Sequence, residues 1–292
     1  MDKGRIKAIL YIVLAATLLS TGGVILKFVD MNPMAIASSR GIISAIVVWL
    51  YLKKPNFTFS KPQIIGAFSY AMMVTGFIVA NKLTTATNAV VLQFTAPIWI
   101  VILGVWILKE KASWYDIVSI FIVSAGMILF FIDDVGGGTL AGNIVAIFSG
   151  LALAGSTIGM RMQKEGSPVE TTLLGHIITV IIGLPFLFSV NFTITNIIGI
   201  LLLGIFQLGI AYILYATAVK YLTALEVILI MFLEPILNPI WVMLIHGETP
   251  SKFSLIGGTI IIVTVALRSI LVSKKSKIIE NNFDIEELES NL

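Results

Sequence analysis

Glu234 is a carboxylic acid set inside an apolar stretch running from 224 to 246, with Pro235 directly after it. Pro235 removes the backbone bond to the carbonyl of Met231, and Pro239 likewise frees the carbonyl of Pro235. At about 100° per residue, Asn238 and Trp241 fall on the Glu234 face of a helix. A carboxylate, an amide and an indole beside bare carbonyls suit a small polar or cationic metabolite. An ionisable group in such surroundings is costly and marks a substrate or ion pathway. The bland alternative is a carboxyl that only hydrogen-bonds to backbone inside a bundle.

Arg40 and His176 are also embedded in apolar sequence. Arg40 either pairs with a carboxylate or carbonyls, or meets an anionic group of a substrate. His176 is either a proton carrier, since imidazole titrates near physiological pH, or a neutral hydrogen-bonding residue. Gln93 with Pro97, Gln207 with Tyr212 and Tyr215, and Ser20 and Ser156 with their neighbouring glycines complete the polar set. Glu226 falls near the mouth of its segment. Trp99 and Trp106 read as a packing or lipid stripe, and Glu110 and Glu248 as anchors of a loop or gate.

These groups need a membrane around them. The 292 residues are 58% hydrophobic and 12% charged, with a mean hydropathy of +1.01, against about 45–50% and about 25% in soluble domains. A water-soluble enzyme with one ordinary core is excluded. There is no Cys and only two His, so neither disulfides, thiolate metal sites nor a His cluster is expected, and no cofactor. A net charge of +3 does not point to nucleic acid, because the basic residues sit at segment edges.

Ten stretches are long enough to cross the hydrocarbon layer, at about 20 residues each: 7–28, 33–52, 63–81, 86–108, 114–132, 141–161, 170–190, 196–219, 224–246 and 253–272. Helices are required, since backbone groups in lipid must be satisfied within the segment. The first is too long for a signal peptide and is kept as a span. With the N-terminus inside, the inner ends collect Lys3, Arg5, Lys7, Lys53, Lys54, Lys61, Lys109, Lys111, Arg161, Lys164, Lys220, Lys274, Lys275 and Lys277. The outer ends hold Lys27, Lys82 and Lys252, while Arg40 and Arg268 lie within spans. That bias puts both termini in the cytoplasm. The acidic stretch 278–292 reads as a disordered appendage.

Sliding the chain against itself by 138 residues aligns Gly66/Gly204, Phe68/Phe206, Lys82/Lys220, Phe94/Phe232, Pro97/Pro235, Glu110/Glu248 and Ser113/Ser251. A shift of 136 places Ser20 on Ser156 and Arg40 on His176. The fold expected is an all-α polytopic membrane protein of ten transmembrane helices in two inverted five-helix repeats. The repeats are 1–134 and 139–273, with a Gly linker at 135–138 and a polar tail at 274–292. Five spans per repeat force the inversion, and the charges agree by placing Lys82 outside and Lys220 inside. Inverted repeats are the architecture of many secondary transporters, with the site at the midplane between them. The counterpart of Glu234 is Ala96; a site for an asymmetric substrate breaks the symmetry at such a place.

Two five-helix repeats, each closing with a Pro-containing helix that ends in Glu, resemble the drug/metabolite transporter superfamily, specifically its EamA-type members. The residues that carry the likeness are Thr95-Ala96-Pro97 through Lys109-Glu110, and Leu233-Glu234-Pro235 through Gly247-Glu248. Arg40 also fits the pattern, which favours a structural or gating role for it. The resemblance implies a central cavity lined by spans 1, 3, 4, 6, 8 and 9 and worked by alternating access, and it leans towards export. Partners are then a small-molecule substrate (an amino acid, an amine or a nucleobase), the bilayer, and protons as a candidate coupling ion, in a monomer or homodimer of the cell membrane. The competing readings are a non-coupled channel and an intramembrane enzyme of Ser/His type using Ser156 and His176. Against the latter, Ser20 repeats Ser156 with no His alongside. No P-loop is present.

Overall fold

The computed structural model describes residues 3–26, 28–110, 112–133, 138–163, 166–189, 193–246 and 251–290. Lys27, Lys111, Lys164, most of the Gly linker, Gly247 and Glu248 lie outside the described residues, as do the side chains of Pro239 and of Lys274, Lys275 and Lys277.

Among the described residues the secondary structure is entirely helical. The helices are α1 (Lys3–Leu26), α2 (Pro33–Leu52), α3 (Lys61–Leu83), α4 (Ala86–Gln93 and Ala96–Ile107), α5 (Trp114–Phe130), α6 (Leu140–Arg161), α7 (Pro168–Gly183), α8 (Ile194–Ala218), α9 (Ala224–Met231 and Leu233–His246) and α10 (Lys252–Ser290). Among the described residues, nine are long and apolar enough to cross a membrane. The tenth, α5, has 17 residues, at the short end of the spanning range of about 17–25. One expectation is corrected: the acidic tail carries on as helix to Ser290. Its Ile, Glu and Leu residues are accompanied by neither Gly nor Pro, so nothing in it stops a helix.

Caps repeat along with the sequence. Thr85 accepts from the backbone of Asn88 at 3.1 Å, and its counterpart Thr223 accepts from Glu226 at 3.2 Å. Large side chains such as Phe121, Phe148 and Trp106 face outward, whereas Ala8, Ala15, Ala16, Ala67, Ala71 and Ala154 are fully buried. Bilayer helices gain little by hiding Leu or Phe from lipid, so small residues occupy the contacts and bring backbones close.

Two pairs of equivalent helices, α2 with α7 and α5 with α10, pack against each other antiparallel. Ser38 of α2 donates to Val180 of α7 at 3.0 Å, while Met34 and Ser38 crowd Gly183. Ser254 of α10 donates to Phe130 of α5 at 2.8 Å, and Arg268 near the far end of α10 pairs with Asp116 near the start of α5. Matching elements that run in opposite senses are inverted by definition, as the odd number of spans requires. The first helix of each repeat docks on the other repeat: α1 packs on α8 and α9, and α6 packs on α3 and α4.

The α3–α6 contact is tightest at Gly66 and Gly159. A methyl group added at Gly159 would sit 2.5 Å from the Gly66 Cα, whereas one added at Gly76 meets Ser149 at an ordinary 3.5 Å. Gly159→Leu is therefore expected to cost about 1–3 kcal/mol through overpacking, read as a lower melting temperature of detergent-solubilised protein. Gly76→Ala is expected to leave it nearly unchanged.

Candidate functional site

Both proline helices are interrupted rather than merely kinked. In α4 the break falls at Phe94 and Thr95 ahead of Pro97, and in α9 at Phe232 ahead of Pro235. Each proline takes one of the first positions of the second half-helix, where a missing N–H costs nothing. Phe94 and Phe232, counterparts in the repeat, stack edge to face at 4.8 Å between ring centres. The two breaks thus meet near the axis relating the halves.

Glu234 begins the second half of α9. It is half-buried, and no group among the described residues hydrogen-bonds to its carboxyl. The backbone-bonded alternative for this side chain therefore has no bonds to support it. Its electrostatic neighbours are Tyr212 and Tyr215 of α8. Tyr215 shares a 2.7 Å hydrogen bond with Thr157 of α6. Tyr212 stacks edge to face on Tyr70 of α3 at 4.8 Å, and the Tyr70 hydroxyl lies 3.4 Å from His176 Nδ1. Arg40 completes this layer: one guanidinium nitrogen donates to Gln207 Oε1 at 3.3 Å. Gln207 is carried by a π-helical stretch of α8, Leu203–Ile210, a local widening that often marks functional positions. Ring contacts thus join Tyr212 to Tyr215 and His176, a hydrogen bond joins Arg40 to Gln207, and both Arg40 and Glu234 lie within electrostatic range of Tyr212.

The remaining candidates divide between the two sides. Trp241 donates its indole N–H to Ser20 Oγ at 2.8 Å, and the Asn238 side chain lies over Gly23, so both face α1. Gln93 turns to α6, donating to Ser149 at 2.8 Å, and does not join the Glu234 group. Ser156 is buried on α6, but the contact to the tyrosine layer comes from its neighbour Thr157. Pro97 and Pro235 are buried at the breaks. Trp106 is 83% exposed, as a lipid-facing residue should be.

One end of the bundle is shut. The first half of α9 packs on the second half of α4. The symmetry mate of that contact would join the first half of α4 to the second half of α9. Among the described residues no comparable packing is found there, and those halves lie instead on α6 and α1. The closed end is the one that carries the N-terminus, and among the described residues three ion pairs tie it. Arg5 pairs with Glu226. Arg161 pairs with Glu110 at 3.1 Å, while Glu110 also accepts from the backbone of Ala224 at 3.2 Å. Arg268 pairs with Asp116 at 2.7 Å. At the opposite end, Asn88, the counterpart of Glu226, joins a neutral chain through Thr84 to Asn143. Glu226 is thus a buried tie, not an open vestibule residue. A cavity of about 140 Å³ lies among these pairs, but its charged lining groups Glu110, Asp116 and Arg268 are already matched.

The sequence profile of the EamA-like transporter family matches residues 6–132 and 140–270. The chain belongs to that family. Curated relatives agree: it is 26% identical over 290 residues to an uncharacterized transporter of Clostridium kluyveri, covering 90% of this chain and 92% of the relative. It is likewise 26% identical over 215 residues to the uncharacterized transporter YxxF of Bacillus subtilis, covering 70% and 68%. A relative from Archaeoglobus fulgidus, also an uncharacterized transporter, is 24% identical over 256 residues. A solved crystal structure superposes with a TM-score of 0.78 at 18% identity, over 92% of this chain and 99% of that one, which shows the fold. The protein is thus a multi-pass membrane transporter of the EamA-like family.

Within that fold, sequence reasoning missed Tyr70, Thr157 and Asp116. Tyr70 is completely buried between Tyr212 and His176. Its repeat counterpart is Leu208, so it carried no symmetry signal; a tyrosine buried in a span still needs a partner for its hydroxyl, and that was the available clue.

Proposed function

We propose that this EamA-like transporter carries a small polar metabolite with a cationic amino group out of the cell by alternating access, and that Glu234 meets the amino group. The observation that carries the reading is the broken symmetry of α4 and α9. They are packed together at one end and apart at the other, and Glu234, half-buried and with no hydrogen-bond partner for its carboxyl among the described residues, stands at the break between. With both termini in the cytoplasm of a cell-membrane protein, the closed end is cytoplasmic and this is an outward-facing state. The moving bodies are then α1, α8 and α9 against α3, α4 and α6, each mixing helices of the 1–134 and 139–273 repeats. Phe94 and Phe232 are the pivot. Protons bound at Glu234 are the proposed coupling ion.

The test is counterflow in proteoliposomes. Saturable uptake of labelled amines or amino acids, accelerated by unlabelled substrate on the far side, is expected for a carrier. Flux that neither saturates nor responds to the far-side pool identifies a channel and overturns the reading.

The ion pairs at the closed end make a second expectation. Glu226→Gln breaks the Arg5–Glu226 ion pair and favours the inward-facing state. The pair is mostly buried, so its loss should exceed the ~1 kcal/mol of an exposed pair and shift the population about fivefold or more. The chain has no Cys, so labelling of a single introduced cysteine at Val101 reads the opening directly. Faster labelling in Glu226→Gln is expected; an unchanged rate removes the pair from the gate.

A further inference from the structure

Arg40 is 8% exposed and His176 is 1% exposed. A guanidinium offers five N–H donors, and Arg40 uses one side of its fork on the neutral Gln207 while its Nε has no partner. His176 is in the same position: Nδ1 faces the Tyr70 hydroxyl, and Nε2 has no partner. In the tautomer that accepts from Tyr70 at Nδ1, the Nε2 carries the proton and is a free donor. The two side chains lie within electrostatic range of each other, and α2 and α7 pack directly at Gly41 and His176. No carboxylate among the described residues pairs with Arg40. A buried cation in the middle of a membrane protein, with idle donors beside it, has the donor set of an anion site and lacks the anion.

Tyr212 ties this site to Glu234: its ring lies 6.2 Å from the His176 ring and 4.8 Å from that of Tyr70, and both Arg40 and Glu234 are within electrostatic range of it. Arg40 is near the middle of α2, and Glu234 is at the break in α9. A small molecule bearing both charges would turn its anionic end to Arg40 and its cationic end to Glu234.

We propose that Arg40 and His176 bind a small anionic group, the carboxylate of a cargo whose amino group meets Glu234, which makes the cargo zwitterionic. A free halide has the same recognition chemistry and is separated by the experiment. The inference rests on the proposed function for its cationic half only.

The test uses the full-length purified protein. Each of the twenty amino acids is compared with its primary amide, which keeps the amino group and side chain but has no charge on the acid end. Binding is followed by thermal shift and transport by counterflow, with chloride and sulfate salts compared at matched ionic strength. Wild type is expected to prefer acid over amide by about 10- to 100-fold, as loss of a charge-assisted hydrogen bond implies. Arg40→Gln should bring that ratio to near one while amide binding persists, and Arg40→Lys should retain part of it. Chloride-specific stabilisation lost in Arg40→Gln supports the site with a free halide as occupant. If Arg40→Gln does not fold, the wild-type ratio and Arg40→Lys decide. A wild type that takes acid and amide equally and ignores chloride overturns the anion site, as does an Arg40→Gln that keeps wild-type discrimination. Amine and amide binding that is lost in Glu234→Gln leaves the proposed function standing in either case. A protein that binds no member of either series and no halide overturns both.

Discussion

Glu234→Gln is expected to lower transport of an amino-bearing substrate by about 10- to 100-fold, the loss of one charge-assisted contact, while leaving expression and melting temperature near wild type. The two halves of that expectation come from one observation. The carboxyl has no hydrogen-bond partner among the described residues, so an isosteric amide breaks no bond within the protein. Replacing a partly buried ionisable group by a neutral one also relieves its desolvation. A structural glutamate would behave the other way round, with an unstable variant whose surviving molecules still transport. Glu234→Asp keeps the charge but withdraws it by one methylene, so an intermediate rate is expected. Initial rates in proteoliposomes, normalised to folded protein, make the comparison; full uptake by Glu234→Gln removes this residue from the mechanism.

The parts of this molecule that were legible in sequence are those where each residue acts with its neighbours in the chain. Hydropathy gave the spans because a span is local, and Pro97 and Pro235 gave the interruptions because proline acts on its own helix. The inverted repeat was visible because scaffold residues such as Phe94/Phe232 and Pro97/Pro235 coincide at a fixed offset. Illegible were the pairings made across the fold. Asp116 and Arg268 are 152 residues apart and meet only because α5 and α10 run antiparallel. Thr157 and Ser156 differ by one position, about 100° of helix rotation, and only the placement of α6 in the assembled fold decides which of them meets Tyr215. Gln93 shows the same limit: its place on α4 suggested the cavity, but Ser149 captures it.

Asp116 carries the largest expected effect on stability. Its Oδ1 accepts from Arg268 Nε at 2.8 Å and from a second guanidinium nitrogen at 2.7 Å, and its Oδ2 accepts the backbone N–H of Ser113 at 2.7 Å as part of the α5 cap. Both partners are almost fully buried. Asp116→Ala leaves the Arg268 charge stranded and should cost about 3–5 kcal/mol. The repeat supplies its own control. Asp116 aligns with Ser254 and Arg268 with Phe130, and at that mirrored place the contact is a hydroxyl donating to a backbone carbonyl at 2.8 Å. Ser254→Ala is expected to cost only about 0.5–1.5 kcal/mol. The two ends of one helix pair are thus held by an ion pair and by a neutral bond. Removing both charges together, with Asp116→Leu and Arg268→Met, should recover most of the loss, because a buried pair replaced by apolar groups of similar volume is often neutral. Melting temperatures of the three variants settle the matter. Equal losses for Asp116→Ala and Ser254→Ala would show that the ion pair adds nothing beyond a cap, and α5 and α10 would then owe their association to packing at Gly126 and Gly257 alone.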